Sequence, residues 1–393
     1  MQRSYDVVVI GGGVMGLCIA TQLRRLGAGS VALLERRHLG AGESGKSGAI
    51  LRQHYSHVQT IRMARQSLLE FSTFQERTGR DLGFRRPGML IIVPDSDRAV
   101  LEANVRLQQS EGVQVTVLDP DGLRALEPRG RYEGVVAAWE PEAGFVDPVR
   151  TVGAFGAEAT RLGVEIILGC EVSSIETEGS APRRVVGVDT NQGRVATRQV
   201  VAAAGPWSSR LLVPMGLDVP LEVVRPEQAF LRPPADFGDD HVIVADLPNE
   251  VYYKPEPGAT RVGRIAYDND LRVDPDSYDE GISTAFLAEA QRRLQQRLPA
   301  YARAIRWGGG SALYTITPDG QAAIGPVGAL EGFVLVSGFS GHGFKLAPAV
   351  GLGVAELVVH GRSRTLDVDF FDPGRFRRAQ GARSGGYRFK ILG

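Results

Sequence analysis

Two spacings of apolar residues alternate along this chain. Val7 to Ile10 is an unbroken apolar run of strand length; Ile19, Gln22, Leu23 and Leu26 follow at helical spacing, and "SVALLE" then forms a second strand ending at Glu35. Ile61, Ala64, Leu68 and Phe71 again keep helical spacing. "GMLIIVP" and "VQVTVLD" read as strands around the helix "SDRAVLEANVRLQQSEG". A helix followed by a strand returns in "GFVDPVRTVGAFGAEATRLGVEIILGCEVSSI", and "ATRQVVAAAGPWSSRL" is a strand that breaks at Gly205-Pro206. The stretch from Leu221 to Arg306 holds the strands "EVYYKP" and "TRVGRIAY" and one amphipathic helix carrying Leu287, Ala290, Leu294 and Leu298. This order predicts an α/β protein of two interleaved lobes. Residues 1–85, 148–220 and 307–370 are expected to build the dinucleotide-binding lobe, 86–147 and 221–306 the substrate lobe, and 371–393 a basic C-terminal tail.

Length and charge narrow the partner. A chain of 393 residues with 43% apolar content can fill two cores. Its 45 basic and 45 acidic side chains cancel, so no overall field points to nucleic acid or a membrane surface, and a small molecule is the expected partner. Two cysteines, Cys18 and Cys170, exclude a disulfide framework, and neither they nor the six histidines have metal-ligand spacing. No leader-like segment precedes the first strand and no apolar run reaches eighteen residues, which predicts a soluble cytoplasmic protein. Gly374 to Gly393 carries six basic residues and no acidic one, read as a solvated tail or a subunit contact.

The first strand and helix are joined by Gly11-x-Gly13-x-x-Gly16. Alone this spacing is weak, but here it follows a strand, opens a helix and is followed by an acidic strand end, Glu35, nineteen residues past Gly16. Gly11 permits the tight turn, Gly13 lets the backbone approach a pyrophosphate, and Gly16 lets helix pack on strand; Glu35 is placed to accept ribose hydroxyls. The motif leaves FAD and NAD open. The next segment, "GAGESGKSGAILRQHY", favours the longer cofactor: a plain Rossmann domain would proceed to its third strand, whereas this extended polar stretch sets Ser44, Lys46 and Ser47 near the pyrophosphate and Arg52 beyond it.

With "SGKSGAILRQHY", "VVAAAGPWS" and "YTITPDGQAAIGP" followed by "GFSGHGFKLAP", the chain resembles the D-amino-acid-oxidase-like flavoproteins, in their sarcosine oxidase and glycine oxidase branch. The resemblance implies non-covalent or covalent FAD, a nucleotide lobe built from separated segments, and a second lobe with a mixed, largely antiparallel sheet. It implies further cofactor contacts from Val14, Met15 and Arg36, from Val172, and from Ala204, Gly205 and Trp207. It also places the backbone of Gly341, His342, Gly343 and Phe344, and the helix beginning near Leu346, beside the pyrimidine end of the flavin, where negative charge develops on reduction. His342 is expected to shape the loop rather than act as a base.

The implied chemistry is oxidation of a carbon–nitrogen bond to an imine that water hydrolyses. Arg52 and Lys345 would hold a substrate carboxylate, with Tyr314 and Tyr253 lining the cavity. Ala312 stands where related oxidases carry a flavin-linking cysteine, which implies non-covalent FAD, and Arg261, or Arg264, stands for the family lysine associated with oxygen. Tyr314 replaces the carboxylate-binding arginine of glycine oxidases, so the expected substrate is a secondary amine with an acid arm. Oxygen is the expected acceptor. A dehydrogenase subunit serving another acceptor, a flavin-bearing assembly or sensor protein without turnover, and an NAD dehydrogenase are the alternatives. The chain is expected to be a monomer, a homo-oligomer or part of a heteromeric complex, with no metal, membrane or nucleic-acid partner.

Overall fold

The computed structural model describes residues 4–180, 182–238, 240–266 and 270–378. Val7–Ile10 is buried along its whole length and forms the middle of a six-stranded sheet. In spatial order the strands are Ala323–Pro326, Phe333–Ser337, Val200–Ala202, Val7–Ile10, Val31–Glu35 and Val164–Leu168. All neighbours run parallel except the first pair. Parallel strands of this kind need cover on both faces, which explains their continuous apolar runs. The helices Val14–Arg25 and Ala347–His360 pack along one face, close enough that a Cβ on Gly351 would stand 2.7 Å from the Cys18 backbone. Strands Val172–Glu178, Arg183–Thr190 and Gly193–Ala196 join a second apolar cluster on the other.

The second sheet has eight strands, ordered Ile305–Ser311, Glu227–Arg232, Ala259–Arg264, Val251–Glu256, Ile243–Asp246, Met89–Pro94, Val135–Glu140 and Thr116–Leu118. Seven junctions separate eight strands, and one of them, Ile243–Asp246 with Met89–Pro94, is parallel; the others are antiparallel, as expected of the second lobe. One face is covered by the helix Thr284–Arg297, whose N-cap Ser283 accepts from Phe286 N at 3.1 Å. The helix Pro148–Arg161, where the chain returns to the first sheet, is started by Asp147, which accepts from Val149 and Arg150 N.

Two expected boundaries fall elsewhere. Ile305–Ser311 is an edge strand of the eight-stranded sheet, so a division at 306/307 would cut it. Residues 371–378 are not all tail: Arg375 is fully buried, with bonds of 2.9 Å to both oxygens of Asp319. The basic positions from 383 onward lie outside the described residues.

Candidate functional site

A continuous cleft runs from the C-terminal ends of the parallel strands to the second sheet. At its inner end Gly11 has φ +111°, and a Cβ there would lie 2.4 Å from Ala203 O; one on Gly16 would lie 2.0 Å from Gly11 O. No larger residue fits either position, so both glycines are dictated by close backbone approach. Gly13 and Met15 line the cleft, and Val14 N, at the helix N-terminus, is met by Ser44 Oγ at 2.9 Å. Glu35 presents its carboxylate at the wall, fixed by Gly12 N at 2.7 Å and Arg37 N at 2.8 Å. Val172, Ala204, Gly205 and Trp207 complete this end, with the Arg36 guanidinium 4.2 Å above the Trp207 ring centre.

The segment from Asp274 to Glu280 belongs to the second half of the chain yet clasps this end. Asp276 takes Arg36 at 2.8 Å, Trp207 Nε1 at 2.7 Å and Arg210, while Asp274 takes Arg210 at 2.7 Å. Lys46 joins the same clasp, donating to Tyr278 Oη at 2.6 Å and Glu280 at 2.8 Å. The expectation that Lys46 faces the pyrophosphate is therefore corrected: its ammonium is drawn outward to two acceptors 232 and 234 residues away in sequence, while Ser44 and Ser47, the other two residues expected there, do line the cleft.

At the other end, three loop positions carry unusual backbone. Ser340 (φ +48°) and Ala49 (φ +47°) are non-glycine residues in the left-handed region, one on each side of the site. Gly341 has φ +86°, and a Cβ there would strike the Tyr314 ring at 2.7 Å. Gly341, Gly343 and Phe344 face the cleft, followed by the turn Phe344–Leu346 and the helix from Ala347. His342 does not face it, which corrects its expected role as a donor to the cofactor. Its N–H is used by Phe339 O at 3.0 Å, and its ring meets Gly320 O at 3.0 Å and Tyr55 Oη at 3.5 Å. Burial, with Lys345 and Arg52 nearby, pulls His342 down to about 3, so it is a neutral structural residue.

Lys345 and Arg52 lie within electrostatic range of one another, behind the part of the cleft wall formed by Gly341, Gly343, Phe344 and Tyr314, and neither itself lines the cleft. They are 8% and 5% exposed. The Arg52 guanidinium donates to His54 O and lies 4.2 Å from the Tyr55 ring centre. The Lys345 ammonium has no hydrogen-bond partner among the described residues, and burial first, then Arg52, hold it well below the ordinary lysine range. Tyr314 lines the cleft close by.

Tyr253 is a correction. It points to the helix-covered face, packed in the apolar cluster with Val262 and Phe286 and 5.7 Å from the His241 ring. Its neighbour Tyr252 occupies the cleft side, sharing a hydrogen bond with Tyr314. Successive strand side chains face opposite ways, so placing the wrong tyrosine of the pair inverts its role. The same alternation sorts the cations. Arg264 is on the helix side, bonded to Glu289 at 2.7 Å. Arg261 is on the site side, held by Glu256 at 2.7 Å, Gln228 at 2.6 Å and Lys46 O at 3.2 Å.

Three further residues carried no distinctive sequence signal. Lys254 stands opposite Arg261 in the strand register, 2% exposed, 2.9 Å from the same Glu256 carboxylate and 3.9 Å from the Phe145 ring centre; burial lowers it to about 8. Glu43 lines the cleft, accepts from Leu313 N at 2.5 Å and is pushed by burial up to about 7. Glu140, 1% exposed, lies beside Arg52 through its bond to Gln53 N at 2.7 Å. Glu43 lay inside the loop already singled out, but a carboxylate in a polar loop reads as solvated until the fold buries it.

The residues present fit a flavin dinucleotide. Glycine-lined backbone and a helix N-terminus meet at one end, a carboxylate stands at the ribose position, and the far end offers backbone with small side chains rather than a second Rossmann strand. Among the described residues no cluster suits a metal ion, and no helix is long and apolar enough to cross a membrane.

Known proteins agree with this geometry. The solved L-proline dehydrogenase from P. horikoshii superposes with a TM-score of 0.88 at 27% identity, covering 98% of this chain and 100% of that one. The 4-methylaminobutanoate oxidase (formaldehyde-forming) of Paenarthrobacter nicotinovorans is 28% identical over 96% of this chain and 46% of its own length. The FAD-dependent oxidoreductase domain-containing protein 1 of Bos taurus is 28% identical over 94% of this chain and 84% of its own. The chain thus spans about half the length of some curated relatives and most of others. Residues 6–357 match the FAD dependent oxidoreductase family, and the chain belongs to that family, with FAD as its cofactor.

Proposed function

We propose that this protein oxidises the carbon–nitrogen bond of a small amino acid or N-alkyl amino acid, and that Arg52 and Lys345 bind the substrate's carboxylate. The observation that carries this reading is the pairing of two cations, each more than nine-tenths buried, beside the glycine-rich loop. Buried like charges are costly unless an anion joins them, and a carboxylate satisfies both a guanidinium and an ammonium. FAD, when bound, accepts the two electrons removed from the carbon next to nitrogen. The chain's part is positioning. Arg52 and Lys345 fix the acid end, Tyr314 and Tyr252 form a hydroxyl-bearing wall, and the cavity's net positive charge disfavours a protonated amine. His342, neutral at every working pH, is left out of proton transfer. The product imine is then hydrolysed by water.

Similarity extends both to an oxidase and to a dehydrogenase, so the acceptor is a separate question. Oxygen gains negative charge as it is reduced, and a nearby cation favours that step. Lys254 and Arg261 are two cations on this side of the second sheet, and both are tied to Glu256. That shared neutralisation supports a second reading, a dehydrogenase that reacts slowly with oxygen. Anaerobic mixing of the FAD-loaded protein with proline, sarcosine and longer N-methyl amino acids tests the main proposal: at least one should bleach the flavin and yield a carbonyl product. Failure of every acid-bearing amine to do so would overturn it.

A further inference from the structure

Glu140 closes the strand Val135–Glu140 and is 1% exposed. Its Oε1 accepts from Gln53 N at 2.7 Å and Gln53 Nε2 at 3.3 Å, while Oε2 is buried without a hydrogen-bond partner. The groups around it are Arg52, His54 and Tyr55 from the segment that also carries Gln53, Lys345 from the turn after the glycine-rich loop, and Glu142, 3.5 Å from Gln53 Nε2. Glu140 is therefore a buried carboxylate bonded to the residue after Arg52 and within electrostatic range of both cations assigned above to a substrate acid, without a direct ion pair to either among the described residues. Keeping a buried carboxylate ionised with one oxygen unsatisfied is costly unless nearby cations offset the lost hydration.

We propose that Glu140 is the resident counter-ion of Arg52 and Lys345, and that it takes up one proton from solvent when the substrate carboxylate arrives. The proposal rests on the carboxylate reading above and deepens it. Two cations and one anion become two cations and two anions if the acid binds without a proton; like-charge repulsion between the two carboxylates then drives one of them to protonate, and the buried Glu140, with a free oxygen to carry the proton, is the one placed to do so. Burial already holds Glu140 up at about 7, against the pull of the Gln53 bonds, Arg52 and the His54 backbone N–H, so a modest further push suffices. Glu140 thus acts as a positioning residue that makes anion binding proton-coupled.

Calorimetric titration of the FAD-loaded protein with propionate, which has the acid and no oxidisable nitrogen, in buffers of different ionisation enthalpy tests this. The expected result is proton uptake approaching one per site at pH 8 and a propionate Kd that weakens about tenfold per pH unit above pH ~7. Glu140→Gln should abolish both the uptake and the pH dependence and bind propionate at least about tenfold tighter at pH 8. Uptake that persists in Glu140→Gln but vanishes in Lys345→Met would assign the proton to Lys345 and overturn the proposal. Propionate affinity unchanged in both Arg52→Lys and Lys345→Met would overturn the carboxylate reading itself, a distinct outcome. Should Glu140→Gln not hold FAD, infrared difference spectra of the wild type decide: a new protonated-carboxyl band on propionate binding is expected, and its absence contradicts the role.

Discussion

Tyr252 and Tyr253 are chain neighbours that serve opposite sides of one strand: Tyr252 shares a hydrogen bond with Tyr314 at the cleft, and Tyr253 packs under the helix Thr284–Arg297. Their substitutions should separate accordingly. Tyr253→Ala should destabilise the fold by about 3–5 kcal/mol through the cavity it leaves. Tyr252→Phe should cost fold stability little and weaken substrate binding or flavin reduction by about 1 kcal/mol, roughly fivefold. Denaturant titration and anaerobic reduction of the two variants check this, and an exchange of the two effects would mean the strand register is wrong.

The flavin should be held without a covalent bond. Ala312 lines the cleft where a linking cysteine is expected in related oxidases, Cys170 stands at the Glu35 end, and Cys18 is buried between helices. Acid precipitation should release yellow flavin into the supernatant; colour kept in the pellet would contradict this.

The clasp over the cofactor is ionic and half-exposed, with Arg36 27% and Asp276 34% exposed. Exposed pairs are worth about 0–1 kcal/mol each and are screened by salt. Asp276 takes bonds from three residues at once, so Asp276→Ala should raise the FAD dissociation rate by about three- to tenfold, and high salt should raise it in the wild type but less in the variant. Fluorescence of released flavin after dilution measures both.

How much of this was legible in the sequence follows the range of the contacts involved. Gly11, Gly13, Gly16 and Glu35 were readable because turn, helix start and acidic strand end lie within one local unit. Arg52 and Lys345 were found through resemblance of motifs, since 293 residues separate them and no local pattern joins them. The face of Tyr253 is not readable from its segment, because strand parity depends on pairing partners, Val244 and Val262, that the segment itself does not encode. Lys46 was read with its loop, and Tyr278 and Glu280, which claim it, arrive from another part of the chain. Lys254 and Glu140 left no signal, because a lone lysine or glutamate at a strand end looks solvated until the fold removes the water.

Buried titratable groups should give the stability an acid edge. Burial holds His54 and His342 at about 3 and His241 at about 4, so unfolding takes up protons below pH ~6.5 and stability falls as the pH drops. Glu43 and Glu140, at about 7, and Asp270, at about 6, are raised by burial and act in the opposite sense above their unfolded values. The two sets offset one another between pH ~4.5 and 6 and leave a plateau; below it the histidines, each costing up to about 1.4 kcal/mol per pH unit, are joined by ion-paired carboxylates such as Glu158, which Arg161 and Arg25 hold down at about 2, and stability falls more steeply. Denaturant midpoints across this range check the shape. Converting Glu43 and Glu140 to Gln should tilt the plateau so that stability rises with pH.

Reaction with oxygen should depend on Glu256. Glu256→Gln removes the carboxylate that neutralises Arg261 and that also holds the Lys254 ammonium up at about 8, so reoxidation of the reduced protein by oxygen should accelerate by about tenfold at acidic pH, where Lys254 keeps its proton, and little at pH ~8, with the reductive step little changed. Stopped-flow mixing with oxygenated buffer measures it; no acceleration would place the oxygen-reactive site elsewhere.

The central claim, that Arg52 and Lys345 bind the acid end of an oxidisable amine, is tested most directly by anaerobic flavin titration with an N-methyl amino acid and with the matching amine lacking the acid, in wild type, Arg52→Lys and Lys345→Met. Removing one partner of a buried charge pair costs about 2–5 kcal/mol, so Lys345→Met should weaken binding of the amino acid by about 30-fold to a few thousand-fold, and Arg52→Lys, which keeps the charge and loses the bidentate fork, should weaken it by less. The acid-free amine should bind poorly in all three, with little difference between them. Equal affinity for the amino acid in all three proteins, with FAD still bound, would rule out this role for Arg52 and Lys345.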